Sequence, residues 1–240
     1  MKVLGVIPAR YGSSRFPGKP LIDLKGQTMI ERVYNGALKS KQINTLVVAT
    51  DDVRIYEEVL RFGGRVIMTQ STHQTGTDRC AEVLSHFPDH DVVINIQGDE
   101  PLVSAQQLDQ LLAAFQDQEV QIATIVNPVV TQDDLQNMNR IKVVADARQN
   151  AIYFSRSPLP NMHYAKEPQF PWLRHIGLYA YRAKTLSAIA QLEPCALEQA
   201  ESLEQLRWLY YGYPIRLVST NIETPNIDVP ADIEKVLPFL

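Results

Sequence analysis

Four short apolar runs, each followed by a stretch of helical spacing, constrain the fold of this chain more than any other feature. Val3-Leu4-Gly5-Val6-Ile7, Thr45-Leu46-Val47-Val48-Ala49-Thr50, Arg65-Val66-Ile67-Met68 and Asp91-Val92-Val93-Ile94-Asn95-Ile96 carry apolar residues on both faces of an extended backbone. A strand keeps that pattern where both sides of its sheet are covered, as in a parallel sheet. Helices are predicted between these runs, over about 28–39, 52–62 and 78–86. Thr28-x-x-Glu31 has the form of a capping box for the first, and Gly63-Gly64 ends the second. The alternation implies an α/β class with a mostly parallel central sheet. A further helix over about 104–116 opens on another capping-box pattern, Ser104-x-x-Gln107, and the strand Gln121-Ile122-Ala123-Thr124-Ile125-Val126 follows it.

From about residue 140 the rhythm changes. Lys142-Val143-Val144-Ala145 and Ala151-Ile152-Tyr153-Phe154-Ser155 are close enough to form a hairpin over 146–150, so this part is antiparallel. Pro158, Pro160, Pro168 and Pro171 mark 157–173 as an extended arm suited to lying on another surface, such as a second subunit. A strand over 174–182, helices over 184–191 and 197–211, a strand over 215–220 and a terminal helix from about 230 complete the chain. Neither repeats nor a linker divide it, and 1–240 reads as one domain.

The charge balance excludes several classes of partner. Lys and Arg total 23 against 27 Asp and Glu, a net charge of −4. That provides no broad basic field for nucleic acid or an anionic membrane. No apolar run approaches the ~20 residues of a membrane span, and Arg10 follows the first strand too soon for a signal peptide. A cytoplasmic location is expected. Cys80 and Cys195 lack metal-site spacing and suit small core positions, and His73, His86, His90 and His163 are expected at the surface.

Any anionic ligand must therefore be caught locally, and the first strand leads into such a site. Arg10, Arg15 and Lys19 occur within the Pro8–Pro20 loop together with Gly12 and Gly18. Glycines let backbone N–H groups turn toward one anion, Arg supplies forked donors that match phosphate oxygens, and Lys adds a compact charge. The loop is neither a Gly-x-Gly-x-x-Gly turn nor a P-loop, which argues against a nicotinamide oxidoreductase and a P-loop NTPase. At the end of the fourth strand, Gln97-Gly98-Asp99-Glu100-Pro101 sets a carboxylate at the same edge of a parallel sheet. A hard cation such as Mg²⁺ needs only one or two carboxylates beside substrate phosphates, and Asp99 supplies one. Asp228, before Val229-Pro230, is a second candidate and equally suits a helix cap, while Glu100 is expected to pair with a cation or to cap. His175, Gly177, Tyr179 and Tyr181 share one face of their strand, where the glycine leaves a hollow. Arg156 ends a strand and could clamp a carboxylate, and Glu201, Glu204 and Trp208 share a helix face with Gln205 beside it.

Six segments occur together in a recognisable order: Pro8 to Pro20, Thr75-Gly76-Thr77-Asp78-Arg79, Asn95 to Pro101, Tyr153-Phe154-Ser155-Arg156-Ser157, Arg174-His175-Ile176-Gly177-Leu178-Tyr179-Ala180-Tyr181-Arg182 and Leu203-Glu204-Gln205-Leu206-Arg207. Taken together they resemble the 3-deoxy-manno-octulosonate (Kdo) cytidylyltransferases, also called CMP-Kdo synthetases, over nearly the whole chain. The resemblance implies a Rossmann-like nucleotidyltransferase fold of the nucleotide-diphospho-sugar transferase type with an antiparallel dimerisation region, and a homodimer. It also implies Mg²⁺ and the reaction of CTP with Kdo to give CMP-Kdo and pyrophosphate, for lipopolysaccharide synthesis.

By the same resemblance Arg10, Ser13, Arg15 and Lys19 would hold the triphosphate, Gly76 and Arg79 would lie along the cytidine, and Asp99 with Asp228 would hold the metal. Arg10, Lys19 and Asp99 would carry catalysis. Gln97, Arg156, His175, Tyr179, Glu204 and Gln205 would meet the sugar acid. Rival readings are a cytidylyltransferase for 8-amino-Kdo or sialic acid, a sugar-1-phosphate nucleotidylyltransferase, which has no use for a carboxylate clamp, and a CTP-binding module without turnover.

Overall fold

The structure, a computed structural model, describes residues 1–12, 16–164, 170–227 and 229–240. Ser13, Arg15 and Asp228 therefore lie outside the described residues, as does part of the proline-rich arm. The apolar runs become β1 (Val3–Ala9), β2 (Thr45–Thr50), β3 (Val66–Met68) and β4 (Val92–Asn95). Between them lie α1 (Met29–Ala37), α2 (Val53–Arg61) and α3 (Gly76–Ser85). Then follow α4 (Ala105–Ala113), β5 (Ile122–Asn127), β6 (Lys142–Ala145), β7 (Ala151–Ser155) and β8 (Leu173–Arg182). The chain continues with α5 (Ala183–Ile189), α6 (Ala196–Glu201), α7 (Gln205–Tyr210) and β9 (Ile215–Ser219).

Among the described residues these strands form one sheet of nine, with the main path β9-β5-β8-β4-β1-β2-β3. The first four strands are parallel to one another, as their apolar faces require. β8 runs antiparallel between β4 and β5, and β6 pairs with β8 at Leu173 and Arg174, beyond the stretch where β4 pairs at Tyr179 to Arg182. The β6–β7 hairpin thus extends the sheet past the carboxyl end of β4, where Gln97 to Glu100 emerge. Two apolar clusters cover the faces: Val33, Ile55 and Leu111 belong to one, Cys80, Leu206 and Trp208 to the other. Both cysteines are buried and free, as expected of core fillers.

Several local expectations are corrected. Thr28 precedes α1 but forms no capping box; its hydroxyl donates to Glu58 at 2.7 Å, and Glu31 pairs with Arg61 at 2.9 Å, so both polar groups tie α1 to α2. At α4 half of the box forms: Ser104 accepts from the Gln107 backbone, whereas the Gln107 side chain donates to the Ile222 carbonyl at 2.9 Å. The helix expected over 197–211 is two helices, because Ser202 turns left-handed at φ 52° and breaks the run. His90 is buried, sharing hydrogen bonds with Thr45 Oγ1 and the Phe87 carbonyl. The chain end forms three short helical turns over Pro230–Asp232, Ile233–Val236 and Leu237–Phe239.

Candidate active site

Parallel strands deliver their carboxyl ends to one edge, and the loops after β1 and β4 meet there. The meeting is close: a methyl group added at Gly98 would sit 2.7 Å from the Pro8 carbonyl oxygen. Gly18, left-handed at φ 73°, donates its N–H to the Tyr11 carbonyl at 2.9 Å and turns the first loop back toward β4. The turn places Lys19 so that its Nζ donates to Asp99 Oδ2 at 2.7 Å and to the Ile227 carbonyl at 2.8 Å. Arg54 stacks on the Tyr11 ring and buttresses the loop from outside.

A cavity of about 400 Å³ opens between these loops and the start of α3, lined by Arg10, Lys19, Gly76, Arg79, Gln97 and Asp99 among others. Arg10 Nη2 is buried there without a hydrogen-bond partner among the described residues, the state expected of a donor that awaits an anion. The N-terminus of α3 adds oriented amides, fixed by a capping box between Thr75 and Asp78. Arg79 lines the same cavity. It is 1% exposed and its guanidinium is held by Asp51, Thr69 and the Gln70 carbonyl, so it braces the wall of the cavity with its charge already balanced.

A second cavity of about 470 Å³ lies under the β6–β7 hairpin and shares Gln97 and Asp99 with the first. Gln97 Nε2 donates to the Gly177 carbonyl at 2.8 Å, and that carbonyl is presented by an irregularity in β8, whose register against β5 shifts between Ile176 and Tyr179. A methyl group at Gly177 would meet nothing within 4 Å, as the expected hollow requires. His175 and Tyr179 line the cavity on one face, ring centroids 5.3 Å apart, and Tyr179 and Tyr181 pack edge-on to Trp208. Thr124 donates its hydroxyl to the Leu178 carbonyl at 2.8 Å, so His175 Nε2, 3.0 Å from that hydroxyl, is the donor to it. Burial, with Arg174 adjacent, lowers the His175 pKa to about 3, so the ring is neutral. Gln205 is buried, lines the cavity and has an Nε2 unpartnered among the described residues, a donor for a hydroxyl or carboxylate.

Two residues expected to meet the sugar acid already have partners within the protein. Arg156 borders the cavity, but its Nε, Nη1 and Nη2 donate to the carbonyls of Glu201, Met138 and Ser202, so the fork holds backbone. Glu204 does not line the cavity. After the break at Ser202 it is the N-cap residue just before α7, and its carboxylate accepts from the Thr77 hydroxyl of α3 at 2.9 Å. Burial raises its pKa to about 7. Glu201, expected beside it, accepts from the Ser155 hydroxyl and the Arg156 amide. Glu100 proves to be a cavity residue where a salt bridge or cap was expected; burial and neighbouring Asp99 push its pKa up to about 8.

No cluster of three His, Cys, Asp or Glu side chains able to hold a metal occurs among the described residues. The donor set nevertheless suits a hard cation beside phosphates: Asp99 lines both cavities, and the Ile227 N–H, one residue before Asp228, donates to the Asp99 carbonyl at 3.1 Å.

A doubly layered α/β sheet with a cationic loop and a carboxylate at its switch edge defines a nucleotidyltransferase, and the cytidylyltransferase family matches residues 4–221. The chain belongs to the 3-deoxy-manno-octulosonate cytidylyltransferases within that class. It is 48% identical to the 3-deoxy-manno-octulosonate cytidylyltransferase of Parabacteroides distasonis over 249 residues, covering 100% of this chain and 98% of the relative. That of Syntrophobacter fumaroxidans is 44% identical over 243 residues, at 100% and 97% coverage. A solved structure of CMP:2-keto-3-deoxy-manno-octonic acid synthetase complexed with CTP superposes with a TM-score of 0.94 at 42% identity, covering 100% of this chain and 98% of that one. The 4-diphosphocytidyl-2C-methyl-D-erythritol synthase of Anaerococcus prevotii has a TM-score of 0.65 at 13% identity, over 99% and 98% of the two chains, and shares the fold alone.

Proposed function

We propose that this chain transfers the cytidylyl group of CTP to Kdo, releasing pyrophosphate and giving CMP-Kdo for lipopolysaccharide synthesis. The observation that carries the reading is the shared wall: Gln97 and Asp99 belong to both the cationic cavity and the polar one beside it. A nucleotide in the first places its α-phosphorus toward that wall, and an acid sugar in the second can present its anomeric 2-hydroxyl from the other side. The hydroxyl oxygen attacks phosphorus in line and gives its proton to solvent, the bond to the β-phosphate breaks, and pyrophosphate leaves. Arg10 and Lys19 offset charge on the phosphate oxygens, while Gln97, Tyr179 and Gln205 orient the sugar. Mg²⁺, held by Asp99 and Asp228, would supply further offset of negative charge on the phosphates when bound. Ser13 and Arg15 complete the triphosphate contacts in this reading.

The protein acts as a homodimer in the same reading, supported by apolar exposure on the antiparallel region: Ile152 is 59% and Tyr164 90% exposed. None of the described helices is long and apolar enough to cross a membrane, consistent with a cytoplasmic enzyme. The deciding experiment measures pyrophosphate release from CTP with Kdo, 8-amino-Kdo or sialic acid, each with and without Mg²⁺. Release with Kdo that requires Mg²⁺ is expected; no release with any acceptor would leave a CTP-binding module.

A further inference from the structure

Three guanidinium groups, those of Arg140, Arg156 and Arg174, line the cavity assigned to the acid sugar, and they differ in what they already hold. Arg156 has given three donors to backbone carbonyls. The Arg140 side chain is 46% exposed, with Nε 3.6 Å from Asp134, so water screens its charge. Arg174 is only 6% exposed. Its Nη2 meets Glu223, and Asn127 Nδ2 donates to the same Glu223 oxygen at 2.6 Å. Its Nε–H is buried and has no partner among the described residues.

A buried donor on a cation is costly to leave unpaired, and here the ion-pair partner is a carboxylate whose side chain is 55% exposed, with Asp134 adding its charge from farther away. The group is thus desolvated and only partly neutralised. A planar carboxylate entering the cavity can accept from the guanidinium fork and satisfy it. His175, next in the chain, is neutral and offers no competing cation.

Resting on the Kdo reading above, we propose that Arg174, paired with Glu223, which Asn127 in turn holds, is the residue that recognises the carboxylate of the acid sugar and sets the preference for acids over neutral sugars. Arg156 on this view is a positioning residue, and Glu223 competes with the substrate for the same fork.

The test compares Kdo with its C1 carboxamide as acceptors, following pyrophosphate release in the wild type and in Arg174→Ala, Arg174→Lys and Glu223→Gln. The wild type is expected to favour the acid strongly. Arg174→Ala should raise the KM for Kdo about 100-fold, leave the KM for CTP within about two-fold, and bring the acid-to-amide ratio of kcat/KM close to one. Arg174→Lys, which keeps the charge but loses the fork, should fall between them. Glu223→Gln removes the competing charge without emptying the space, and should raise the acid-to-amide ratio several-fold. An Arg174→Ala enzyme that binds CTP normally and keeps the wild-type ratio overturns the assignment. Should that variant fail to fold, an unchanged ratio in Glu223→Gln overturns it. A wild type that releases pyrophosphate with neither acceptor removes the Kdo reading and this assignment with it, whereas normal wild-type turnover with unaffected variants removes the assignment alone.

Discussion

Lys19 and Asp99, eighty positions apart, meet in a 2.7 Å ion pair at the boundary between the two cavities. The pair does little for the fold: Asp99 is 30% exposed at its side chain, and partly hydrated pairs contribute about 0–1 kcal/mol. Its placement matters more, because a nucleotide phosphate arriving beside Lys19 competes with Asp99 for the ammonium and frees the carboxylate to face a cation. Asp99→Asn keeps the shape and removes the charge. Turnover at saturating CTP and Kdo should fall by about 10²–10³-fold or more, with the melting temperature close to that of the wild type. Pyrophosphate-release rates and a thermal melt check this, and near-normal turnover contradicts the role of Asp99.

Gly98 and Gly177 make a matched pair of predictions. A methyl group at Gly98 would sit 2.7 Å from a backbone oxygen of the neighbouring strand end, which has no rotamer by which to yield. Gly98→Ala should cost about 1–3 kcal/mol and raise the KM for CTP, since the cationic loop shifts with Pro8. At Gly177 a methyl group meets nothing within 4 Å, and Gly177→Ala should unfold at the same denaturant concentration as the wild type. Urea midpoints for the two variants separate the cases; equal midpoints would contradict the close approach at Gly98.

How far the sequence revealed this arrangement depends on the range of the interactions involved. The parallel half was legible because runs such as Thr45 to Thr50 are apolar on both faces, a pattern set by each strand's own burial. Parallel strands then fix which ends coincide, so the proximity of the Arg10–Lys19 loop to Asp99 followed from topology. The partners of long polar side chains did not follow. Glu204 finds Thr77 across 127 residues, and Arg156 finds carbonyls 18, 45 and 46 residues away. No local spacing encodes such pairs. The break at Ser202 was hidden for another reason: serine carries no strong signal for a left-handed residue, so the sequence puts Glu201 and Glu204 on one continuous helix face, whereas they bond to different elements, Ser155 of β7 and Thr77 of α3. Arg174 was visible within its motif but became distinctive only when its burial and its open Nε were known.

The hydrogen bonds of Arg156 make it a brace between the end of β7 and the α6–α7 break. Removing it leaves three carbonyls without their charged donor. Arg156→Ala should cost about 2–3 kcal/mol of stability, and Arg156→Lys should recover only part of that, because an ammonium cannot span carbonyls lying in different directions. Chemical denaturation of both variants checks the expectation. A stable Arg156→Ala with a large rise in the KM for Kdo would show instead that this side chain leaves the backbone to bind substrate.

His175 and Glu204 bend the stability of the protein with pH in opposite directions. The pKa of His175 is lowered to about 3 by burial, so between pH 3 and 6.5 the unfolded chain binds a proton that the folded chain does not, and stability falls as the solution is acidified through this window. Burial raises the pKa of Glu204 to about 7, so between its ordinary value of 4.5 and 7 the folded chain holds the extra proton, and stability falls as pH rises. Between pH 4.5 and 6.5 the two slopes oppose each other and flatten the wild-type curve. Glu204→Gln removes the second slope alone. Its stability relative to the wild type should therefore grow from pH 4.5 to pH 7 and level off above, while His175→Asn, losing the first slope, should become relatively more stable as pH falls below 6.5. Melting temperatures of the three proteins across pH 4.5 to 8 measure both signs, and a Glu204→Gln difference that does not vary with pH would mean that this carboxyl ionises in the folded protein as it does in water.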